Sequence, residues 1–128
     1  MEAKILIFGY NEEENNKIKN FCLKNHFPEP VILCQSHKKI LIKDLLINRY
    51  EPQDCIVRQD NLILFNKLPN YEISRFIDLF KKEGLRIPLW AAVTEHSINW
   101  SLEELLTELK KEREEFEKAK KQAEKDKK

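Results

Sequence analysis

"LILFNKLPNYEISRFIDLFKKEGLRIPLWAAVT", residues 62–94, holds a strand, a helix and a second strand in 33 residues. Leu62–Phe65 is a short unbroken apolar run. Ile73, Phe76, Ile77 and Phe80 then follow the i, i+3, i+4, i+7 spacing of one helix face. Asn70 stands where an N-cap belongs and Gly84 where a left-handed C-terminal cap belongs. Pro88 opens the second apolar run, a place where a strand tolerates proline. Read this way, the stretch is a β-α-β unit.

The same pattern occurs earlier in the chain. "ILIF" (Ile5–Phe8) matches "LILF" (Leu62–Phe65), Pro30-Val31-Ile32 matches Pro88-Leu89-Trp90, and Asp44-Leu45-Leu46 matches Glu104-Leu105-Leu106. Between the first two of these, Asn11 can cap a helix whose first turn is Glu12, Glu13 and Glu14, acids suited to the positive end of the dipole. Ile18, Phe21 and Cys22 form its apolar face. A weaker helix spans about Ile40 to Asn48, and "CIVRQDNLILF" adds a short hairpin strand before the third main strand. The expectation is two tandem β-α-β-α repeats, about 4–48 and 61–109.

All four main apolar runs are consecutive rather than alternating, so both faces of the sheet should be covered. That favours an α/β fold with one four-stranded, mostly parallel sheet and helices on both faces. Right-handed crossovers put strands one and three in the centre. The competing arrangement, a ferredoxin-like α/β sandwich with helices on one face, centres the same two strands.

After Thr94 a polar link carries His96, Ser97, Asn99 and Trp100 to Ser101. Ser101-Leu102-Glu103-Glu104 has capping-box spacing, and Trp100 is placed as a hydrophobic staple against Leu105. These features make the link a joint between strand and helix. Residues 1–109 then form one domain and residues 110–128 a charged helical tail. In the tail the apolar stripe thins to Phe116, Ala119 and Ala123, while Glu114/Lys118 and Glu117/Lys121 stand at i,i+4 spacing.

Of the 128 residues, 41% are hydrophobic and 35% charged, and the formal net charge is +1. The tail holds nine basic and six acidic residues, which leaves the body with fourteen basic and sixteen acidic ones. A slightly acidic body offers no electrostatic footprint for nucleic acid or an anionic membrane. Three cysteines without C-x-x-C spacing fit a reducing cytoplasm and argue against a disulfide framework or a structural zinc. No stretch approaches the roughly 20 apolar residues of a membrane helix.

The chain has two glycines, Gly9 and Gly84. A phosphate cradle needs several, so the sequence argues against nucleotide chemistry and implies no cofactor. Gly9 reads as a tight strand end. Cys34 and His37 could form a nucleophile pair, but Cys34 lies inside "VILC", the usual setting of a small buried hydrophobe. His37 and His96 follow corresponding strands and could approach one another. Without a carboxylate or cysteine they make a poor metal site, and both read as solvent-facing. No catalytic or metal residue is therefore assigned. If a ligand site exists, α/β architecture puts it at the carboxyl ends of the strands. The candidates are Gly9, Tyr10, Asn11, Asn66, Lys67, Thr94, His96 and Ser97, with a small anion at the amino end of the last helix as the simplest occupant.

"PLWAAVTEHSINWSLEELLTELKKE", preceded by "LILF" and an amphipathic helix, resembles the prokaryotic family named domain of unknown function 3783. Ala92, Thr94, Trp100, Leu105, Glu108 and Leu109 fit its pattern. Ser97 stands where the family has asparagine, and Arg113 where it often has histidine. The resemblance implies no activity. The sequence as a whole favours a non-catalytic cytoplasmic binding or regulatory domain, working through a protein partner or as a homo-oligomer. The alternative is a small enzyme or a small-anion or metabolite binder.

Overall fold

A computed structural model of the chain describes residues 3–47 and 61–126, with side chains to 122. The first half runs β1 (Lys4–Phe8), α1 (Glu12–Lys24), β2 (Pro30–Leu33), a 3-10 turn (Gln35–His37) and α2 (Ile42–Ile47). The second runs β3 (Leu62–Asn66), α3 (Asn70–Lys81), β4 (Leu89–Ala92), a 3-10 turn (Ser97–Asn99) and α4 (Leu102–Asp126). The hairpin strand expected from Cys55 onward falls mostly outside the described residues.

The sheet is ordered β2-β1-β3-β4, with β1 and β3 in the centre as expected. Each half is a parallel pair, β1 with β2 and β3 with β4. The two halves meet through an antiparallel pair, in which Lys4 stands opposite Asn66 and Phe8 opposite Leu62. Two of the three pairings are thus parallel. Consecutive apolar residues report burial on both faces, which either strand direction satisfies.

Alternation along the strands sorts the core into two layers. Ile5, Ile7, Ile63 and Phe65 point to one side, where they meet Ile18, Phe21 and Cys22 of α1 and Phe76 and Phe80 of α3. Leu6, Phe8, Leu62 and Leu64 point to the other, against Ile42, Leu45 and Leu46 of α2 and Leu102, Leu105 and Leu106 of α4. Helices on both faces exclude the ferredoxin-like arrangement. The α1/α3 side is aromatic: Phe76 packs on Phe21, Phe27, Phe65, Phe80 and Trp90 with ring centroids 4.9–6.1 Å apart. Such pairs contribute about 0.5–1.5 kcal/mol each beyond their buried area. The α2/α4 side is mostly leucine and isoleucine.

This sorting corrects the alignment of the halves by one residue. Matching Ile5 to Leu62 places residues of opposite faces together, and a one-residue slip exchanges every side chain between faces. Matching Ile5 to Ile63 keeps the faces, at an offset of 58. The backbone carries the same spacing. Gly9 (φ 91°) and Lys67 (φ 57°) follow β1 and β3, and His26 (φ 62°) and Gly84 (φ 74°) follow α1 and α3. In each pair glycine serves one half and a side-chain-bearing residue the other.

Local chemistry fixes the helix ends. At α1, the Asn11 side chain accepts from the Glu14 amide (2.7 Å) and the Glu14 carboxylate accepts from the Asn11 amide (3.1 Å). At α3 the expected cap is displaced by one position. Pro69 occupies the cap without a side-chain bond, its carbonyl accepting from Ile73 (3.1 Å), and Asn70 is the first helical residue. Proline in extended conformation before the first turn already directs the chain into the helix. α4 is one 25-residue helix, so the tail continues it rather than forming a separate element. Along it Arg113 pairs with Glu117 (3.5 Å), in place of the two pairs expected from spacing.

The left-handed positions give the first test. A side chain in that conformation costs roughly 1–2 kcal/mol, and glycine returns about 0.5–1 kcal/mol of this as chain entropy. Lys67→Gly is therefore expected to raise stability by up to ~1 kcal/mol in urea unfolding. Gly84→Ala should lower it although nothing lies within 4 Å of the added Cβ, because the cost is in the backbone.

Candidate functional site

Antiparallel pairing of β1 and β3 divides the eight candidate residues between opposite ends of the sheet. Gly9, Tyr10 and Asn11 leave β1 beside the start of β3, and Asn66 and Lys67 leave β3 beside the start of β1. Thr94, His96 and Ser97 leave β4 at the latter end, since β4 runs parallel to β3. The carboxyl ends of the strands do not converge on one crevice.

At the Gly9 end the polar groups are joined to one another. The Gly9 carbonyl accepts from Asn61 Nδ2 (2.6 Å) and Arg86 Nη2 (3.3 Å). Tyr10 is buried, and its hydroxyl donates to the Arg86 carbonyl (2.8 Å). Burial pushes the Tyr10 phenol well above its ordinary range, an effect that outweighs the nearby guanidinium. Arg86 makes a two-pronged bond to Glu14, Nε to Oε2 at 3.0 Å and Nη2 to Oε1 at 2.8 Å. That hydrogen bond, chiefly, holds the Glu14 carboxyl below its usual value. One carboxylate thus caps α1 and ties it to the chain entering β4. Asn61 and Arg86 were not singled out in the sequence, since only their position before an apolar run marks them.

At the other end the link proves to be two consecutive caps. The Thr94 amide donates to Ser97 Oγ (2.9 Å), and the Ser97 amide donates to Thr94 Oγ1 (3.1 Å). Ser97 is buried by this exchange. Beginning four residues after Ser97, the Glu104 amide donates to Ser101 Oγ (3.1 Å) and the Ser101 amide reaches Glu104 Oε1 (3.4 Å), the expected capping box. Half-buried Trp100 packs against the cluster that contains Leu105. The T-x-x-S spacing was visible in the sequence and has the logic of a capping box. Asn66 is buried, while Lys67 and His96 are exposed.

The two loops before α2 and α4 meet over the sheet. Leu41 and Ser101 form an antiparallel bridge, Ile42 donates to the Trp100 carbonyl (2.8 Å) and Glu103 to the Lys38 carbonyl (2.8 Å). His37 and His96 nevertheless follow strands that end at opposite ends of the sheet. His37 is buried rather than solvent-facing, and its Nδ1 accepts from the Cys34 amide (2.9 Å). Burial lowers its basicity. Cys34, expected as a thiol, is disulfide-bonded and so is no nucleophile. Cys22 is a buried thiol pushed up to about 12 by desolvation, the state of an inert core cysteine. Among the described residues no three His, Cys, Asp or Glu side chains gather as for a metal ion. No helix among them is long and apolar enough to cross a membrane.

A concave feature lies elsewhere. A groove of about 410 Å³ runs between the entry to β3 and β4 and the middle of α4. Asn61, Ile87 and Leu89 line one wall, and Lys110, Arg113, Glu114 and Glu117 the other. Two bases and two acids give it no net sign. Ile87 is 53% exposed beside it. Sequence reasoning missed this groove because its walls come from segments more than 20 residues apart.

Two tests follow from these contacts. Ser101→Ala should cost about 1 kcal/mol through the lost cap, and Trp100→Ala about 3 kcal/mol, both read by urea unfolding. The second concerns pH. His37 is harder to protonate when folded, so the unfolded chain binds more protons, and stability falls as pH drops below the ordinary value of 6.5. Glu14 is easier to ionise when folded, so its contribution is present above the ordinary 4.5 and is lost as pH falls further. Melting temperature should therefore decline in two stages on acidification. His37→Asn, which keeps an acceptor for the Cys34 amide, should remove the first stage alone.

No curated protein and no solved structure matches the chain. The family model described as "Domain of unknown function (DUF3783)" matches residues 61–116. That span begins at Asn61, takes in β3, α3, β4 and both caps of the link, and ends on α4 beyond Arg113. The half of the chain that supplies both walls of the groove thus resembles this domain of unknown function.

Proposed function

We propose that the protein is a non-catalytic cytoplasmic binding or regulatory domain that acts through protein–protein contacts, with the groove between α4 and the entry to β4 as its contact surface. The observation that carries this reading is where the polar groups are spent. Thr94, Ser97, Asn11 and Glu14 bond to neighbours in their own caps, and Tyr10 and Asn61 bond to backbone carbonyls. A reacting or anion-binding site needs convergent groups held ready for the ligand. The groove instead offers a mixed-charge helix face beside an exposed isoleucine, a composition suited to a polypeptide surface. Its cytoplasmic setting rests on the cysteine count, and the Cys34 disulfide is the observation weighed against it.

Two measurements test the proposal. A partner captured by the wild-type protein should bind it with purified components and be lost with Arg113→Glu/Lys110→Glu, while the melting temperature stays within a degree or so. A partner that binds both proteins equally would move the contact off the groove. In a thermal-shift titration, phosphate and sulfate should leave the melting temperature unchanged. A saturable rise that disappears in His96→Ala and Ser97→Ala would replace this reading with the small-anion one.

A further inference from the structure

The outer strand of the second half has an open side. In β4 the Leu89 amide donates to the Asn61 carbonyl and the Val93 amide to the Phe65 carbonyl, each at 2.8 Å. Backbone groups alternate along a strand, so Leu89, Ala91 and Val93 turn theirs toward β3, and Trp90 and Ala92 turn theirs outward. Among the described residues nothing pairs with that outer side. The opening is bounded at both ends. Pro88 has no amide to offer, and the Thr94 amide is held by Ser97.

Strand edges are ordinarily guarded by charge, proline or a bulge. Between Pro88 and Thr94 the sequence is Leu-Trp-Ala-Ala-Val, with no charge, and Ala92 is exposed. The opening is also self-complementary. When two copies run antiparallel about Ala91, Trp90 of each exchanges both backbone bonds with Ala92 of the other, four in all. Ala91 then faces Ala91 at the non-hydrogen-bonded position, where Cα atoms approach to about 4.5 Å and a methyl group fits.

We propose that the β4 edge is a self-association site, where Trp90–Ala92 of two copies pair antiparallel about a two-fold axis and join their sheets into one. The arrangement is isologous, uses the one outer β4 edge of each copy and closes at two copies. It uses a different surface from the α4 groove, so either proposal can fail alone. One short strand per copy makes a small interface, and the association is correspondingly weak and concentration-dependent.

Sedimentation equilibrium of the full chain, up to hundreds of micromolar, combined with residue-resolved amide exchange, tests this. The mass should rise from one copy toward two. The Trp90 and Ala92 amides, which have no backbone partner among the described residues, should become protected in proportion to the dimer. Ala92→Lys places a charge on the edge, and Ala92→Pro removes only an outward amide. Both should keep the chain a monomer with unchanged circular dichroism, and Ala92→Lys alone decides if the proline variant misfolds. A chain monomeric at every concentration overturns the proposal, whether or not its edge accepts an extended peptide from another protein. So does a dimer that survives Ala92→Lys, or one in which those two amides exchange freely.

Discussion

The antiparallel ladder between β1 and β3 is the constraint on which the rest depends. Ile5, Leu6, Ile7 and Phe8 are buried against Leu62, Ile63, Leu64 and Phe65, and every one of these side chains belongs to a core layer. Because the two strands run in opposite directions, each half of the chain presents the carboxyl ends of its strands at a different end of the molecule. An all-parallel sheet would have gathered Gly9, Asn66 and Thr94 on one side and given them a shared crevice. The reversal of one central strand removes that crevice without changing a single core contact type.

The same ladder explains where the polar side chains go. With β3 entering beside the exit of β1, Asn61 and Arg86 arrive next to Gly9 and Tyr10, donate to the Gly9 carbonyl, and the Arg86 carbonyl accepts from the Tyr10 hydroxyl. Glu14 then receives Arg86 in addition to the amide it already caps. This cluster staples the start of α1 to the strand entry of the other half. At the opposite end Thr94 and Ser97 close upon each other, and a second cap follows at Ser101. Polar residues that look in sequence like a ligand's contacts serve as the fastenings between elements.

Two features mark the outside of the second half: α4 runs on past the sheet, and among the described residues nothing pairs with the outer side of β4. Each has its own cause: among the described residues β4 is the last strand of the sheet, and α4 is longer than the surface it covers. The buried stripe Leu102, Leu105 and Leu106 ends near Leu109, and Phe116 is 71% exposed. The groove follows from that mismatch, and the open strand edge from the terminal place of β4.

The sequence by itself determined what depends on neighbours a few residues apart. The helix faces of α1 and α3, the caps at Asn11 and Ser101, the left-handed Gly84, the covered faces of the sheet and the central place of β1 and β3 were all legible, because hydrophobic period and capping chemistry act locally. The cap of α3 was misplaced by one residue because Pro69 and Asn70 are both good starts for a helix. Only the tertiary structure decided the direction of β3 against β1, since backbone hydrogen bonds form equally in either sense and leave no mark on apolar composition. With that direction came the separation of the candidate residues, the union of Glu14 with Arg86 across 72 positions, and the groove between α4 and β4. Each depends on long-range placement, which residue spacing does not encode.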